Sequence, residues 1–411
     1  MSKKVNRKVP RLRFSEFHGD WTEKKLSEIS NKISDGIHST PKYDENGEYY
    51  FINGNNLSDS RIEFDENTKR IDVSEYLKYK SDLTSQTILV SINGTIGNLS
   101  FYENEKIVLG KSACYVNLKL EENKFFVFYL LQTSSIKSHF HREVTGATIK
   151  NLSLTTIKNT KALFPTNKEQ EKIASFLGAV DTRLTQLRHK HEILQTYKRG
   201  VMQKIFSQQI RFKGDNGKPF PDWEKKKFSQ VFERITRKNK ENNLNTLTIS
   251  AQHGLINQRD FFNKSVSADD LTGYYLLKRG DFAYNKSYSN GYPMGAIKRL
   301  KFYEKGVVST HYICFSTKNE VEAQFYEKYF EGGFLNHELS KIAQEGARNH
   351  GLLNMSIVEF FQDVTLDYPT IEEQAKITDF LTELDKKIEA IAKQIDLTEQ
   401  YKKGLLQKMF V

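Results

Sequence analysis

Cysteine is nearly absent from this chain, which has only Cys114 and Cys314 in 411 residues. Two cysteines make neither the disulfide framework of a small secreted domain nor a cysteine-based zinc site. A reducing compartment fits this usage, so we expect a cytoplasmic protein. Long apolar runs are absent as well: the longest, 125–131, is far below the roughly 20 residues of a membrane-spanning helix. No apolar stretch follows the basic N-terminus, so we expect no secretory signal and no membrane partner.

The motifs that mark common enzymes are also missing. The Gly-Lys-Ser at 110–112 resembles the end of a phosphate-binding loop, but the earlier glycine of that motif falls on Glu105. His139 and His141 have no acidic or cysteine companions at metal-ligand spacing. No glycine-rich cofactor loop follows a strand pattern. We therefore expect a protein that is not an enzyme, with no catalytic residue, no metal and no cofactor of its own.

Positive charge, in contrast, is in excess. Lys and Arg number 62 against 51 Asp and Glu, a formal net charge of +11. Such a balance favours a polyanionic partner, and nucleic acid is the common one. A basic protein without such a partner remains the alternative at this point.

The chain contains one unit written twice. Residues 165–206 align with 369–410 without a gap at an offset of 204, with fifteen of 42 positions identical. Upstream, Arg13-Phe14 and Asp20-Trp21 correspond to Arg211-Phe212 and Asp222-Trp223. Each copy is thus a variable globular part followed by a shared helical segment. The predicted divisions are a first globular domain at 1–164, a helix at 165–206, a second globular domain at 207–368 and a helix at 369–411.

Both shared segments are typical of long amphipathic helices. Each opens with a Thr-x-x-Glu capping box after a proline, at Thr166 and at Thr370. Apolar residues then alternate at spacings of four and three, which is a heptad seam that must be buried. About 40 residues make a helix of roughly 60 Å. Antiparallel pairing brings together the two ends of the second globular domain, whereas parallel pairing would stretch that domain over the same 60 Å. We therefore predict an α+β fold in which two globular α/β domains are separated by two long helices forming an antiparallel coiled coil, with pseudo-twofold internal symmetry.

The C-terminal ends of these helices differ from a simple coiled coil. Gly200 and Gly404 interrupt the helical pattern at a cost of about 1 kcal/mol each, which suggests a close approach by another helix. Apolar residues cluster around them, and we interpret these ends as either partner-docking surface or core. The partner-binding candidates are Tyr197, Gly200, Met202, Phe206, Tyr401, Gly404, Leu406 and Phe410. His191 occupies the seam position at which the second copy has Ile395, as a tolerated polar residue or as a control of register.

Polar, turn-rich loops interrupt both globular parts. They mix amide, hydroxyl, basic and aromatic side chains, of which Asn, Gln and Arg recognise base edges while Lys, Ser and Thr bind phosphates. One such loop is usually ordinary surface; several per half in a basic, duplicated chain favour DNA binding. The DNA-binding candidates are His38, Thr40, Lys42, Tyr43, Asn53, Asn55, Asn93, Lys111, Lys150, Asn151, Asn285, Lys286, Tyr288, Asn290, Tyr292, Arg348, Asn349 and His350.

Taken with these motifs, the sequence resembles the specificity subunit of a type I restriction–modification system. The paired Pro-Thr-x-x-Glu-Gln helices, their Tyr-Lys-x-Gly…Gln-Lys-x-Phe ends and the Arg-Phe…Trp-x-x-Lys-Lys start of each domain carry the resemblance, which covers essentially the whole chain. It implies two target-recognition domains, each for one half of a split double-stranded DNA site. The helices would act as a spacer, with half-site centres no more than roughly 18 base pairs apart.

The same resemblance implies partners. Two methyltransferase (modification) subunits, which use S-adenosylmethionine, and ATP-dependent motor-nuclease (restriction) subunits, which use Mg²⁺, would assemble on this chain, while the chain itself would bind none of these cofactors. Two other functions are compatible with the residues alone. A general nucleic-acid-binding scaffold would show little sequence preference and strong salt sensitivity, and a protein-bridging adaptor would bind no nucleic acid.

Overall fold

A computed structural model of the chain describes residues 8–58, 60–146, 150–262, 270–317, 319–343 and 353–411. The chain forms two compact units: unit 1 is Met1–His189 with Lys393–Val411, and unit 2 is Lys190–Ala392. Each unit thus contains one globular part and portions of both long helices. The predicted domain boundaries at 164, 206 and 368 separate globular parts from helices, whereas the two units divide the chain inside the helices. Those boundaries therefore stay predictions.

Unit 1 combines short strands with several helices. Its strands are β1 (Thr22–Lys25), β2 (Ser30–Asp35), β3 (Tyr49–Ile52), β4 (Leu57–Ser58), β5 (Arg61–Ile62), β6 (Arg70–Ile71), β7 (Thr87–Ser91), β8 (Leu99–Phe101), β9 (Ile107–Leu109), β10 (Ala113–Leu118) and β11 (Lys161–Phe164). Its helices are α1 (Val73–Tyr79), α2 (Lys124–Leu131), α3 (Ser134–Glu143), α4 (Leu154–Asn159) and the start of α5 (Asn167–Phe206), with a 3-10 turn at Gly54–Asn56.

Unit 2 repeats this plan with different connections. Its strands are β12 (Glu224–Lys227), β13 (Glu233–Arg234), β14 (Leu247–Ser250), β15 (Gly254–Asn257), β16 (Tyr275–Lys278), β17 (Phe282–Asn285), β18 (Ala296–Arg299), β19 (Lys305–Val308), β20 (Ile313–Ser316) and β21 (Thr365–Tyr368). Its helices are α6 (Phe228–Val231), α7 (Gln258–Phe262), α8 (Glu320–Glu331), α9 (Asn336–Ile342), α10 (Ile357–Gln362) and α11 (Ile371–Lys408), whose end lies in unit 1.

The same four-stranded antiparallel sheet is the frame of both units. Its order is β2-β10-β7-β8 in unit 1 and β13-β20-β17-β18 in unit 2. In each unit a further two-stranded ribbon, β1-β11 or β12-β21, pairs the start of the globular part with its last strand. This ribbon brings both ends of the globular part to the start of the helix that follows. The predicted α+β class and internal repeat are confirmed.

The two long helices run antiparallel wherever they meet inside one unit. In unit 1, Lys402 pairs with Asp181 at 2.6 Å and Glu399 with Arg188 at 2.7 Å, so a higher number on one helix meets a lower number on the other. In unit 2, Lys198 pairs with Asp385. The two copies of the helix are offset by 204 residues, so Asp385 is the equivalent of Asp181 and Lys198 is the equivalent of Lys402. The same ion pair thus occurs once in each unit, with the two helices in exchanged roles. This exchange is the signature of a pseudo-twofold repeat.

Burial along the helices follows the predicted heptad seam in its first two-thirds. The buried seam residues are Ile173, Leu177, Val180, Leu184, Leu187, Ile377, Leu381, Leu384 and Ile391. Leu194, Ile388 and Ile395 are only partly buried, as is His191. A partly exposed position tolerates an imidazole without desolvating it fully, which agrees with the interpretation of His191 as a tolerated polar residue.

The glutamates predicted to close capping boxes have another role. Glu169, which is 1% exposed, receives hydrogen bonds from Nε and Nη2 of Arg13, both at 2.8 Å. Glu373, which is 0% exposed, receives the same two from Arg211 at 3.1 and 2.7 Å. Each carboxylate thus binds an arginine of the segment that precedes the globular part. This ion pair holds that segment against the start of the long helix.

Candidate nucleic-acid interface

Four loops of unit 1 converge beyond one end of its sheet. They are 53–56 after β3, 92–98 between β7 and β8, 110–112 between β9 and β10, and the described parts of the segment after α3, 144–146 and 150–153. Backbone hydrogen bonds join them: Ile92 N donates to Ser112 O at 2.9 Å, Gly94 N to Lys150 O at 3.1 Å, and Leu152 N to Ile92 O at 2.8 Å. Residues far apart in sequence therefore share one surface.

Side chains fix the same arrangement. The amide of Asn93 donates to Lys111 O at 3.1 Å, and the Ser112 hydroxyl donates to Oδ1 of Asn53 at 2.8 Å. Glycine is required between these loops, because a Cβ on Gly110 would lie 2.4 Å from Oδ1 of Asn53. The sequence thus places a small residue where two polar loops touch.

The outcome is a basic, amide-rich surface, which we name the unit 1 loop cluster: Asn53, Asn93, Lys111, Lys150 and Asn151. Lys111, Lys150 and Asn151 are exposed and Asn53 and Asn93 half-buried. All five were predicted as DNA-binding candidates from separate segments, and Asn93 and Asn151 form an isolated β-bridge. Exposed ammonium groups beside amides held by backbone bonds suit phosphate and base-edge contacts respectively.

The other unit 1 candidates lie around this cluster with varied contacts. His38 follows Ile37, which bridges to Gly110, but the His38 ring contacts Asp35 at 2.8 Å. The backbone amide of Lys42 binds Glu75 at 2.8 Å, which ties this segment to α1. The ring of Tyr43 lies 6.0 Å from that of Phe51, while Thr40 and Asn55 are exposed.

In unit 2 the corresponding β17–β18 connection is longer and forms a projecting hairpin. Ser289 and Tyr292 exchange backbone hydrogen bonds of 3.3 and 2.8 Å across an Asn-Gly turn, in which Gly291 has φ +80°. This left-handed conformation favours glycine. Tyr288, 61% exposed, and Asn290 stand at the tip.

The base of this hairpin is closely held. The amide of Leu353 donates to Lys286 O at 3.0 Å, as Leu152 does to Ile92 in unit 1. Oδ1 of Asn285 accepts from Ser287 N at 3.1 Å. The unit 2 candidates Asn285, Lys286, Tyr288, Asn290 and Tyr292 therefore belong to one element. Arg348, Asn349 and His350 lie outside the described residues.

Tyr292 points back into unit 2. Its hydroxyl donates to Glu331 at 2.7 Å and accepts from Lys298 at 3.0 Å, and Lys298 in turn binds Glu331 at 2.6 Å. Burial, followed by the hydrogen bond to Glu331, raises the pKa of Tyr292, so the hydroxyl remains a donor. Lys298 and Glu331 are not among the residues predicted from the sequence, since no local pattern links positions 33 residues apart.

The partner-binding candidates separate into two groups. Met202, Phe206 and Phe410 are buried in the cores of their own units, which is the core alternative that the sequence left open, and Leu406 is partly buried. These apolar residues cover the start of a globular part: Phe410 packs with Trp21 at 6.4 Å between ring centroids. Met202, Phe206 and Phe410 therefore pack inside their own units, and a partner-binding role for Leu406 stays a prediction.

The other four candidates form two matching exposed stripes. Tyr197 and Tyr401 are 50% and 54% exposed, and a Cβ at Gly200 or Gly404 would meet nothing within 4 Å. The close helix expected at these glycines is thus not supplied by the described residues of the chain. Ile193 and Leu397, one turn before the tyrosines, are exposed as well.

Two further properties hold for the residues that the structure describes. No group of three or more His, Cys, Asp or Glu there is placed to hold a metal ion. No helix in the same residues has the length and apolar character to cross a membrane.

Two similar frames that carry dissimilar polar loops define a duplicated protein with one variable loop surface in each unit. The chain belongs to the family described as "Type I restriction modification DNA specificity domain", whose model matches residues 18–195 and 220–400. This membership confirms the resemblance stated from the sequence. Specificity subunits are the non-catalytic, DNA-recognition components of type I restriction systems, in agreement with the expectation that the chain is not an enzyme.

Two curated relatives come from Methanocaldococcus jannaschii. A putative type I restriction enzyme MjaX specificity subunit is 25% identical over 204 residues, a match that spans 47% of each chain. The type I restriction enzyme MjaVIII specificity subunit is 25% identical over 353 residues, covering 79% of this chain and 80% of its own. The first match thus spans about half of the relative's length.

Solved structures share the fold. The S subunit of a type I restriction–modification system from M. genitalium has a TM-score of 0.56 at 18% identity, with 98% of this chain and 99% of that one covered. A chain from a structure on complex assembly and conformational transition of the type I R-M system has a TM-score of 0.52 at 14% identity, with 95% and 97% covered. At these identities the likeness concerns the fold alone.

Proposed function

We propose that this specificity subunit recognises a bipartite target in double-stranded DNA, with one dissimilar half-site for each unit, and directs partner subunits to it. One observation carries the proposal: the two units share one sheet topology and differ in the loops at the corresponding end. A duplicated frame suits the two-fold symmetry of duplex DNA. Different loops on equivalent frames suit two different base sequences.

The chemistry of the loops supports the same function. In the unit 1 loop cluster, Lys111 and Lys150 would bind phosphates and set the position of the protein on the duplex. Asn53, Asn93 and Asn151 would contact base edges, because an amide offers both a donor and an acceptor to adenine. In unit 2 the exposed hairpin tip would take the corresponding place.

We propose further that the exposed helix stripes bind partner subunits. The stripes are Ile193, Tyr197 and Gly200 on α5, and Leu397, Tyr401 and Gly404 on α11. Each presents an apolar side chain, an aromatic ring and a bare backbone along one helix face, and tyrosine is enriched at protein interfaces. Because the stripe occurs twice, it fits two copies of one partner, the modification subunit. These partners would bind S-adenosylmethionine, and the restriction subunits ATP and Mg²⁺; this chain would bind none of them.

Mapping of N6-methyladenine by single-molecule sequencing tests this function. The gene is expressed with its partner genes, and with one partner gene at a time, in a host that lacks other adenine methylation. We expect a split motif with two different halves, and methylation only when the modification subunit is present. An undivided motif, or methylation by the purified chain alone, would overturn the proposal. A general nucleic-acid scaffold would give no motif.

A further inference from the structure

The β17–β18 hairpin of unit 2 differs from its counterpart in unit 1 in both length and bracing. Its connection runs over ten residues, 286–295, against seven in unit 1, 92–98. Its tip carries Tyr288, with 61% of its surface exposed. A large exposed aromatic at a loop tip contributes little to folding, but it offers wide contact area to a ligand at low cost in side-chain entropy.

The arms of the hairpin are fixed independently of the tip. The hydroxyl of Tyr284 donates to Met294 O at 2.7 Å across the base. Gly295 has φ +75°, and a Cβ there would lie 2.2 Å from Asn285 O, so the strands close tightly below the loop. These contacts hold the base, whereas the tip depends on a contact farther out.

That outer contact is a set of three polar side chains, of which Lys298 is buried, Tyr292 is partly buried and Glu331 is exposed. Lys298 is 7% exposed, and its ammonium lies 4.6 Å from the centre of the Tyr292 ring and 2.6 Å from Glu331. The Tyr292 hydroxyl bonds both groups. Lys298 belongs to β18 and Glu331 is the last residue of α8. The set therefore ties the tip-side residue of the hairpin to two elements of the unit 2 frame.

We infer that Tyr288 and Asn290 recognise bases in the half-site of unit 2, and that Tyr292, Lys298 and Glu331 hold the hairpin in the conformation that does so. Tyr292, one of the predicted DNA contacts, is then a positioning residue, because its polar atom faces the protein. The inference rests on the proposed function and assigns roles to individual residues within it.

The test uses the purified full-length chain and a library of random-sequence duplex DNA, from which bound duplexes are selected and sequenced. Tyr288→Ala removes the tip ring without touching the braced set. Tyr292→Phe removes only the hydroxyl: the ring remains over Lys298, and the Lys298–Glu331 ion pair remains closed, so no buried charge is left unpaired. Tyr368→Phe is the matched control, because Tyr368 also donates to a glutamate, Glu322, beneath a lysine in the same unit.

We expect Tyr288→Ala and Tyr292→Phe each to lower preference at the same base positions of one half-site about ten-fold. The other half-site, and the salt dependence of binding, should match the unmodified chain. Tyr368→Phe should leave both half-sites unchanged, and thermal unfolding should show all three variants folded.

Three results would overturn the inference. Full preference retained in both hairpin variants would show that the tip does not recognise bases. Losses spread over both half-sites would show a general effect on the protein, and an equal loss in Tyr368→Phe would show a general effect on unit 2. Failure of the proposed function itself would give a different result: the unmodified chain would select no DNA sequence.

Discussion

The guanidinium of Arg13 binds the buried carboxylate of Glu169 through two hydrogen bonds of 2.8 Å. These residues are 156 positions apart, and their bond joins the segment before the globular part of unit 1 to the start of α5. Arg211 and Glu373 repeat it in unit 2. Because both copies preserve a charge pair at the same junction, we interpret the junction as the fixed point of each recognition unit.

Removal of one partner from this pair should destabilise unit 1. Arg13→Ala leaves the carboxylate of Glu169 buried and unpaired, which costs about 3 kcal/mol. We expect Arg13→Ala with Glu169→Gln to recover part of that loss, because no charge then stays buried. Urea unfolding followed by circular dichroism measures both.

An exposed ion pair of the same unit is the control. Lys161 and Glu23 lie 2.8 Å apart, with both side chains more than half exposed. Lys161→Ala should change the free energy of unfolding far less than Arg13→Ala does, because an exposed ion pair gains little over the hydration of its two charges. If Arg13→Ala costs no more than Lys161→Ala, the junction has no special role in stability.

The chain ends invite a second prediction, on circular permutation. In unit 1, Leu12 N donates to Lys408 O at 2.8 Å, whereas in unit 2 Ile210 N donates to Lys204 O at 3.1 Å along a continuous chain. The two bonds are equivalent in the repeat. Each joins the end of a long helix to the segment that precedes a globular part. In unit 2 these two segments are also joined by the continuous chain, whereas in unit 1 they are not. A permutant joined from Val411 to the original N-terminus and opened between Gln208 and Gln209 should therefore fold.

We expect this permutant to unfold within about 2 kcal/mol of the original chain and to select the same DNA sequences. A second permutant, opened between Ala283 and Tyr284 inside β17, should fail to fold, because both residues are buried. Circular dichroism and DNA selection compare the two. Equal failure of both would mean that the covalent link after α5 is essential to the fold.

The sequence predicted the frame of the molecule better than its surfaces. Helices and repeat follow from local periodicity and from an ungapped alignment, and both were confirmed. The convergence of Asn93, Lys111 and Lys150 depends on hydrogen bonds between segments distant in the chain, such as Gly94 to Lys150, which no local pattern records. The sequence therefore indicated which residue types could bind DNA, but not which of these residues lie close together in the fold.

At the helix ends, the sequence identified an apolar face but not what covers it. Met202, Phe206 and Phe410 were equally compatible with core and with partner surface, because an apolar periodicity marks only a face that avoids water. The structure buries them in their own units. Only the position of the globular parts, which the sequence pattern does not contain, distinguishes the two cases.

A third prediction concerns the lysines of the unit 1 loop cluster. Lys111→Ala with Lys150→Ala should weaken binding to all DNA sequences and lower the slope of log K against log salt by about 0.9 for each phosphate that is no longer neutralised. Fluorescence anisotropy over a salt series measures it. The base preference of the unit 1 half-site should change little, because phosphate binding carries no sequence information.

The charge-matched control is Lys387→Ala with Lys393→Ala, two exposed lysines of α11. It lowers the net charge equally, so it separates a local interaction from the overall field of a protein with net charge +11. Equal salt slopes for the two double variants would show that Lys111 and Lys150 do not bind DNA phosphates.

The last prediction concerns the helix stripes and the number of partners. Tyr197→Glu places a charge in the stripe on α5, and Tyr401→Glu does so on α11; both rings are half-exposed, so neither change should disturb the core. Burying an unpaired carboxylate in an interface opposes binding. We expect each single variant to bind one modification subunit fewer than the unmodified chain in native mass spectrometry, and the double variant to bind none.

Phe302→Glu, at an exposed aromatic of unit 2 outside both stripes, is the control and should leave the number of bound modification subunits unchanged. Because the proposed DNA-binding residues lie outside the stripes, the double variant should still select the unmodified chain's DNA sequence. An unchanged number of partners in the double variant would place their binding site elsewhere on the chain.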